Sequence, residues 1–558
     1  MPENLDGSSW SPFESLFDAL MNRELSTAQD LERWLLDRSE LDSAASEAAA
    51  NLYIRMTCHT DDPDAQQAYR NYLEQVAPKL RVAGFELDKK LAASPWTKSL
   101  DRSRYEVLLR DTTVDVETFR EENVPLQTED GKLDQDYSAI RGAISVSFDG
   151  AERTLPQMQR YLEETDRVVR EAAWRAMADR QLKDRDQIDA IFDQQIALRD
   201  RMGRNAGYQN YRDYAFPTKH RFDYGPKECE DFHRSIEECC MPLVRELNRE
   251  RAKALGIERL GPWDMAVDPF GRPPLRPFET AAGLVEGCAK IFVSMDDELS
   301  AMFDRLRSGD CLDLESRKGK APGGYQYQRD RCRRPFIFMN AAGMQRDLVV
   351  MLHEAGHAFH SLLSNHEPLL HYRHTTAEFA EVASMSMELL SHPYWSVFYD
   401  EPSHARARRS HFEGILRILP WIATIDAFQH WLYTHPSHSR AERTAFWRQL
   451  IDRFGFPELW EGLEEHRDVR WQAQLHLFGH PFYYVEYGIA QLGALQLWLQ
   501  SKQDAKRALA NYKRALSLGG SRPLPELFGA AELAFDFKMG TVARLVEEVK
   551  SELEKLPL

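Results

Sequence analysis

His353, Glu354 and His357 stand in an H-E-x-x-H string inside LVVMLHEAGHAFHSLL, residues 348–363. Two histidines four residues apart on a helix lie one above the other on one face, so their ring nitrogens can converge on a single cation about 2.0–2.1 Å from each. Glu354, one residue round, can reach a water at that cation without taking a ligand position. The chemistry is that of half a zinc site with its own general base. In a chain with 18 histidines the string alone is weak evidence. Its apolar helical setting strengthens it, because a buried His-Glu-His group without an ion would be costly to desolvate.

A third ligand is available in TTAEFAEVASMSMELL, residues 375–390. On a helix Glu378, Glu381, Met385 and Glu388 share one face by steps of three and four, and spacing leaves all three glutamates open as ligands. SNHEPLLHYRHT between the two helical stretches holds a proline and mixed polar residues, so it can turn the chain back and set them side by side. Three protein ligands leave a fourth position open, as in catalytic rather than structural zinc sites. One Zn²⁺ per chain is expected.

HLFGHPFYYVEYGIA, residues 476–490, crowds two histidines and three tyrosines together. Tyr484 and Tyr487 are three apart and share a helix face. Their hydroxyls and a histidine N–H are donors that can meet a developing oxyanion; an aromatic core helix with internally satisfied hydroxyls is the alternative.

PFIFMNAAGMQRDLVVMLHEAGHAFH, then FAEVASMSMELL, then PFYYVEYGIAQLGALQLW occur in that order along the chain. Together they resemble the thimet-oligopeptidase and oligoendopeptidase F family of zinc metallopeptidases, over roughly residues 200–540. The resemblance implies that His353 and His357 are zinc ligands, Glu354 the general base and Glu381 the third ligand. Glu378, one turn before Glu381, is then a candidate to hold a zinc histidine by its second N–H. The family sets a histidine and two tyrosines opposite the zinc. Tyr484 and Tyr487 match them; His476 matches if one residue is inserted before Pro481, and His480 matches without adjustment, with His476 favoured. The implied fold is mostly α, an elongated helical body divided by a deep substrate channel, with a small β element beside the zinc helix. The implied activity is cleavage of internal bonds in short unstructured oligopeptides. A helical metallocarboxypeptidase and a catalytically idle peptide-binding relative are the alternatives.

Gly323-Gly324-Tyr325 and the run PFIFMN, residues 335–340, precede the metal helix and read as strands. A strand edge there would bind an extended peptide by main-chain hydrogen bonds; a buried core strand would not. Arg329, Arg331, Arg333 and Arg334 in the connection are either a site for a peptide carboxylate or a solvated face.

Amphipathic spacing in the N-terminal part predicts helical faces at Tyr69, Tyr72, Leu73, Val76 and Leu80, and at Leu162, Thr165, Val169 and Ala173. Ile144, Val146 and Phe148 alternate before Asp149-Gly150, a hairpin signal. Residues 216–226 and 261–278 read as loops. The division expected is an N-terminal helical region, 1–155, and a catalytic region, 156–558.

Lysine and arginine number 71 against 88 acidic residues, a net charge of −17 that argues against nucleic acid as a partner. Seven cysteines without a C-x-x-C pair predict neither a disulfide framework nor a cysteine-zinc module. The opening segment MPENLDGSSWSPFE lacks the layout of a secretory signal, and no long apolar run predicts a membrane span. A soluble cytoplasmic enzyme acting on oligopeptides is expected; oligomeric state is not legible.

Overall fold

The computed structural model describes residues 6–557 except 318, 322, 457 and 458, so the first five residues of the opening segment lie outside the described residues. The fold is mostly α, with helices from Ser11–Asn22 to Met539–Leu553 and two small sheets. Contacts divide the chain into two interleaved units of three segments each. The first is Met1–Glu117, Leu275–His404 and Gly493–Phe535; the second is Thr118–Pro274, Ala405–Leu492 and Asp536–Leu558. Among the described residues no helix is long and apolar enough to cross a membrane.

The hairpin forms as its alternation predicts. Strand β1, Ser145–Phe148, pairs antiparallel with β2, Ala151–Thr154. Asp149 and Gly150 take φ of 49° and 71°, the left-handed pair that a two-residue hairpin loop requires. Val146 and Ile144 are buried.

In the first unit β3 (Leu312–Glu315), β4 (Tyr325–Arg329) and β5 (Arg334–Ala341) form a sheet in the order β3-β5-β4, with β3 parallel and β4 antiparallel to β5. PFIFMN is therefore the central strand, with both edges paired and Ile337 and Phe338 fully buried. It offers no edge to a peptide. Strands β3 and β4 are the outer strands, each with β5 as its one strand neighbour among the described residues. Helix Gln345–Ser364 packs on β4 and β5, burying Leu348, Met351, Leu352 and Phe359; Phe292 meets Phe359 edge to face at 4.9 Å.

Two predicted faces are interrupted. Residues Tyr72–Val76 form a π-turn in which the Ala77 N–H bonds the Tyr72 carbonyl, and Pro78 lacks the N–H that a regular helix would use next. The extra residue rotates Leu73 outward to 41% exposure while Val76 stays buried. Thr165 is exposed because the helix begins only at Arg167, after the Asp166 side chain accepts from the Val168 N–H. Residues 216–218 also depart from the predicted loop: they close helix Tyr211–Thr218, with Pro217 in its last turn.

Candidate metal centre and active site

Helix Gln345–Ser364 starts where Asp347 accepts from the Ala342 and Met344 N–H groups at 2.7 and 3.0 Å. It carries His353 and His357 with rings 4.9 Å apart, and helix Ala377–Leu390 packs beside it. The Glu381 carboxylate lies between the two rings, Oε2 being 3.3 Å from His353 Nε2 and 3.6 Å from His357 Nε2. Three donors about 2.0–2.1 Å from a tetrahedral ion sit about 3.4 Å from one another. The spacing therefore fits zinc, as does the donor set of two imidazoles and one carboxylate.

Gly356 makes this approach possible. A β-carbon there would lie 2.6 Å from the Ala383 carbonyl oxygen and 2.7 Å from the Ser384 Cα, both main-chain atoms of the facing helix. The same Ala383 carbonyl accepts from the Tyr512 hydroxyl at 2.9 Å, which holds that turn in place.

The carboxylate on His353 Nδ1 is Glu388, at 2.6 Å, and not Glu378 as spacing beside Glu381 suggested. Glu388 lies two turns beyond Glu381 and so reaches the outer side of the ring. Its bond puts the proton on Nδ1 and leaves the Nε2 lone pair for a metal. Ser384 donates to Glu381 Oε2 at 2.8 Å, fixing that carboxylate in turn. Sequence reasoning held Glu388 only as a competing ligand, not as the partner of a ligand histidine, and missed Ser384 and Gly356. The three-residue step from Glu381 to Ser384 and the seven-residue step to Glu388 were the signals available.

Glu354 is buried, and burial first, then the Glu381 and Glu388 charges, push its carboxyl up to about 7 against the opposing pull of His353. The backbone N–H of Gln326 on β4 also interacts with the carboxylate. Burial drives His357 down to about 4. Burial acts the same way on His353, but the Glu381 and Glu388 carboxylates outweigh it and raise this imidazole well above its ordinary value. Glu381 is buried too, yet the two histidines and Ser384 draw it down to about 2. Arg333, with φ of 55°, turns the chain between β4 and β5 and bonds the Asn365 carbonyl; Arg329 lies over Phe336 and bonds the Arg334 carbonyl. These two arginines brace the turn.

His476, Tyr484 and Tyr487 come together in the second unit. The His476 ring is 4.9 Å from Tyr484, 6.0 Å from Tyr487 and 5.8 Å from Tyr483; Tyr484 and Tyr487 are 5.5 Å apart. The Trp421 indole N–H, which can only donate, meets Gln474 Oε1 at 2.9 Å. The Gln474 amide nitrogen then faces His476 Nδ1 at 2.7 Å and donates to it. His476 Nδ1 is thus an acceptor, and the ring proton sits on Nε2. Tyr484 is buried and hydrogen-bonded with Trp421 and Gln474, its hydroxyl pushed up to about 12 chiefly by burial. Between His476 and the tyrosines, fully buried Phe482 takes φ of 62°. Gln429 accepts its N–H at 2.6 Å and Arg221 bonds its carbonyl. His480 is exposed, beside Asp134, with its pKa lowered by partial burial.

Fold and donor set define a helical protein of the metallohydrolase kind. The profile of Peptidase family M3 matches residues 160–546, and that of the Peptidase M3 N-terminal domain matches residues 8–119. The chain belongs to peptidase family M3. An oligoendopeptidase F homolog of Borreliella burgdorferi is 24% identical over 331 residues, 57% of this chain and 54% of that protein, so the chain spans about half the length of this curated relative. Among solved structures, PZ peptidase A with an inhibitor is 28% identical at a TM-score of 0.90, covering 98% of this chain and 96% of that one. A Bacillus anthracis str. Ames protein described as an oligoendopeptidase F is 25% identical at 0.87, with the same coverage.

Proposed function

We propose that this chain is a zinc-dependent oligoendopeptidase that hydrolyses internal bonds of short unstructured peptides. The observation that carries the reading is the convergence of His353, His357 and Glu381 beside the buried carboxylate of Glu354. Membership of a peptidase family supports it. His353, His357 and Glu381 would hold one Zn²⁺ per chain. When bound, the ion polarises the scissile carbonyl and acidifies the attacking water.

Glu354 takes the proton of the water and delivers it to the leaving amine, a task suited to a carboxyl raised toward neutrality. Glu388 and Ser384 keep the ligand atoms aimed, so no reorganisation is needed at the moment of reaction. Strand β4 offers an extended peptide a main-chain edge, which binds backbone without selecting side chains. His476, through Nε2–H, and the Tyr487 and Tyr484 hydroxyls are the donors for the oxyanion. The Gln474 bond favours His476 over His480 in this role. The division into an N-terminal region, 1–155, and a catalytic region, 156–558, is retained, with profile matches ending at 119 and starting at 160 in support. A cytoplasmic location is part of the same reading.

The test is digestion of internally quenched peptides and of casein, before and after chelation and zinc restoration, with products read by mass spectrometry. Internal cleavage of peptides of about five to fifteen residues, lost with the metal and restored with it, is expected. Trimming from the C-terminus, chelator-insensitive activity or rapid casein degradation would overturn it.

A further inference from the structure

A second group of metal-ligating side chains lies wholly within the second unit. Cys229 and His233 are four residues apart on helix Pro226–Ser235, and Asp426 and His430 are four apart on helix Glu401–Thr434. Each pair shares one helix face, and the two faces meet. Ligand atoms of Cys229, Asp426 and His430 all lie within 4.8 Å of one another. Exposure is 1% at Cys229, 5% at His233, 0% at Asp426 and 7% at His430.

The group is poorly satisfied as a hydrogen-bond network. Asp426 Oδ2 is 2.8 Å from His233 Nε2 and 3.3 Å from His430 Nε2. Asp426 Oδ1 and His430 Nδ1 have no hydrogen-bond partner, and His430 Nε2 has only the 3.3 Å contact with Asp426 Oδ2. The surroundings offer little help, since Phe216 and Phe482 meet the His430 ring edge to face at 6.0 and 5.4 Å. Polar atoms left unpaired in such a pocket are costly, and an apolar side chain of similar size would avoid the cost. A cysteine nucleophile is not the explanation. The thiol is closed to solvent, and burial raises its pKa well above the ordinary value.

We propose that Cys229, Asp426 and His430 form a second metal site that takes a Zn²⁺ ion, with His233 as the positioning residue that holds Asp426. Thiolate, imidazole and carboxylate together suit zinc, whereas calcium and magnesium take oxygen ligands. Binding is a ligand exchange without redox change: the Cys229 thiol releases its proton to solvent as the sulfur–metal bond forms. The ion would clamp helix Pro226–Ser235 to helix Glu401–Thr434. The latter supplies Gln429, which holds Phe482, and Trp421, which sets the Gln474–His476 bond. The site would thus steady the scaffold of the tyrosine cluster.

The test is metal content of the full-length protein by plasma mass spectrometry, joined to Co²⁺ substitution. Two equivalents of zinc are expected in the wild type, one in H353A/H357A, and none when C229S and H430A are added to it. After cobalt loading, H353A/H357A protein should show a thiolate-to-metal charge-transfer band that C229S abolishes. That measurement keeps residues 229, 426 and 430 intact, so it remains decisive if the C229S chain fails to fold. A metal-free H353A/H357A protein, or cobalt bound in it without the thiolate band, overturns the proposal and leaves the first metal site untouched.

Discussion

Glu354 and its neighbours divide between groups that act on the substrate and groups that aim them. Glu354→Gln keeps shape and removes the proton acceptor, so kcat should fall by roughly 10²–10⁴ with zinc retained by metal analysis. Loss of the ion would make Glu354 a ligand instead. Because its carboxyl is raised to about 7 and must be ionised to act, kcat/KM should decline on the acid side, and the Gln variant should lose that limb of the pH profile. Zinc beside the carboxylate will draw the midpoint lower. Glu381→Ala should abolish zinc binding. Glu388→Ala should weaken it by about 10–100-fold and recover turnover at saturating zinc, because it orients a ligand without being one; equal losses in the two variants would contradict this order. His476→Ala and Tyr487→Phe should each lower kcat by roughly 10²–10³ with little change in KM, and His480→Ala should be mild. A severe His480 variant would move the histidine role to that residue.

Two helices make the candidate metal centre, and their separation is set by a missing side chain. Gly356→Ala would place a methyl 2.6 Å from the Ala383 carbonyl oxygen, where only main chain is available to yield. The helices must part by several tenths of an ångström, which costs about 1–3 kcal/mol in a packed core. Glu381 rides on the helix that moves, so zinc affinity should fall along with Tm. Isothermal titration with zinc and thermal melting read the two effects together. An unaltered zinc affinity would mean that the ligand geometry does not depend on this contact. Strand β4 packs on the helix that carries Glu354, and the Gln326 backbone N–H interacts with that carboxylate.

For the molecule as a whole, pH acts on folding through histidines buried neutral. His360 is 6% exposed, its Nε2 has no hydrogen-bond partner, and burial lowers its pKa to about 3. Its unfolded value is about 6.5. A group depressed in this way contributes its stability above the unfolded pKa, and that contribution drains away as pH falls from about 6.5 toward 3. Between about pH 7.5 and pH 5 the wild-type Tm should therefore drop more than that of His360→Gln. Equal drops would show that the imidazole is hydrated or paired in the folded protein.

Local geometry made much of this legible from the chain. Histidines at i and i+4, and tyrosines at i and i+3, share a helix face whatever surrounds them, so His353, His357, Tyr484 and Tyr487 are paired by spacing alone. The hairpin at Asp149-Gly150 was readable for the same reason, because a two-residue turn needs left-handed residues and nothing distant. Leu73 and Thr165 escaped because a π-turn and a helix start shift the helical count within a few residues. Other features depend on how elements meet. Glu378, Glu381 and Glu388 are equivalent on one helix; the depth and rotation set by Gly356 against Ala383 place Glu381 between the histidines and Glu388 behind His353. The most β-prone run, β5, lies at the centre and β3 and β4 form the edges, because sheet order is a property of three strands together. His233 and Asp426 are 193 residues apart, and no periodicity along the chain joins them. Covalent spacing decides which side chains share a face, and helix packing decides what that face meets.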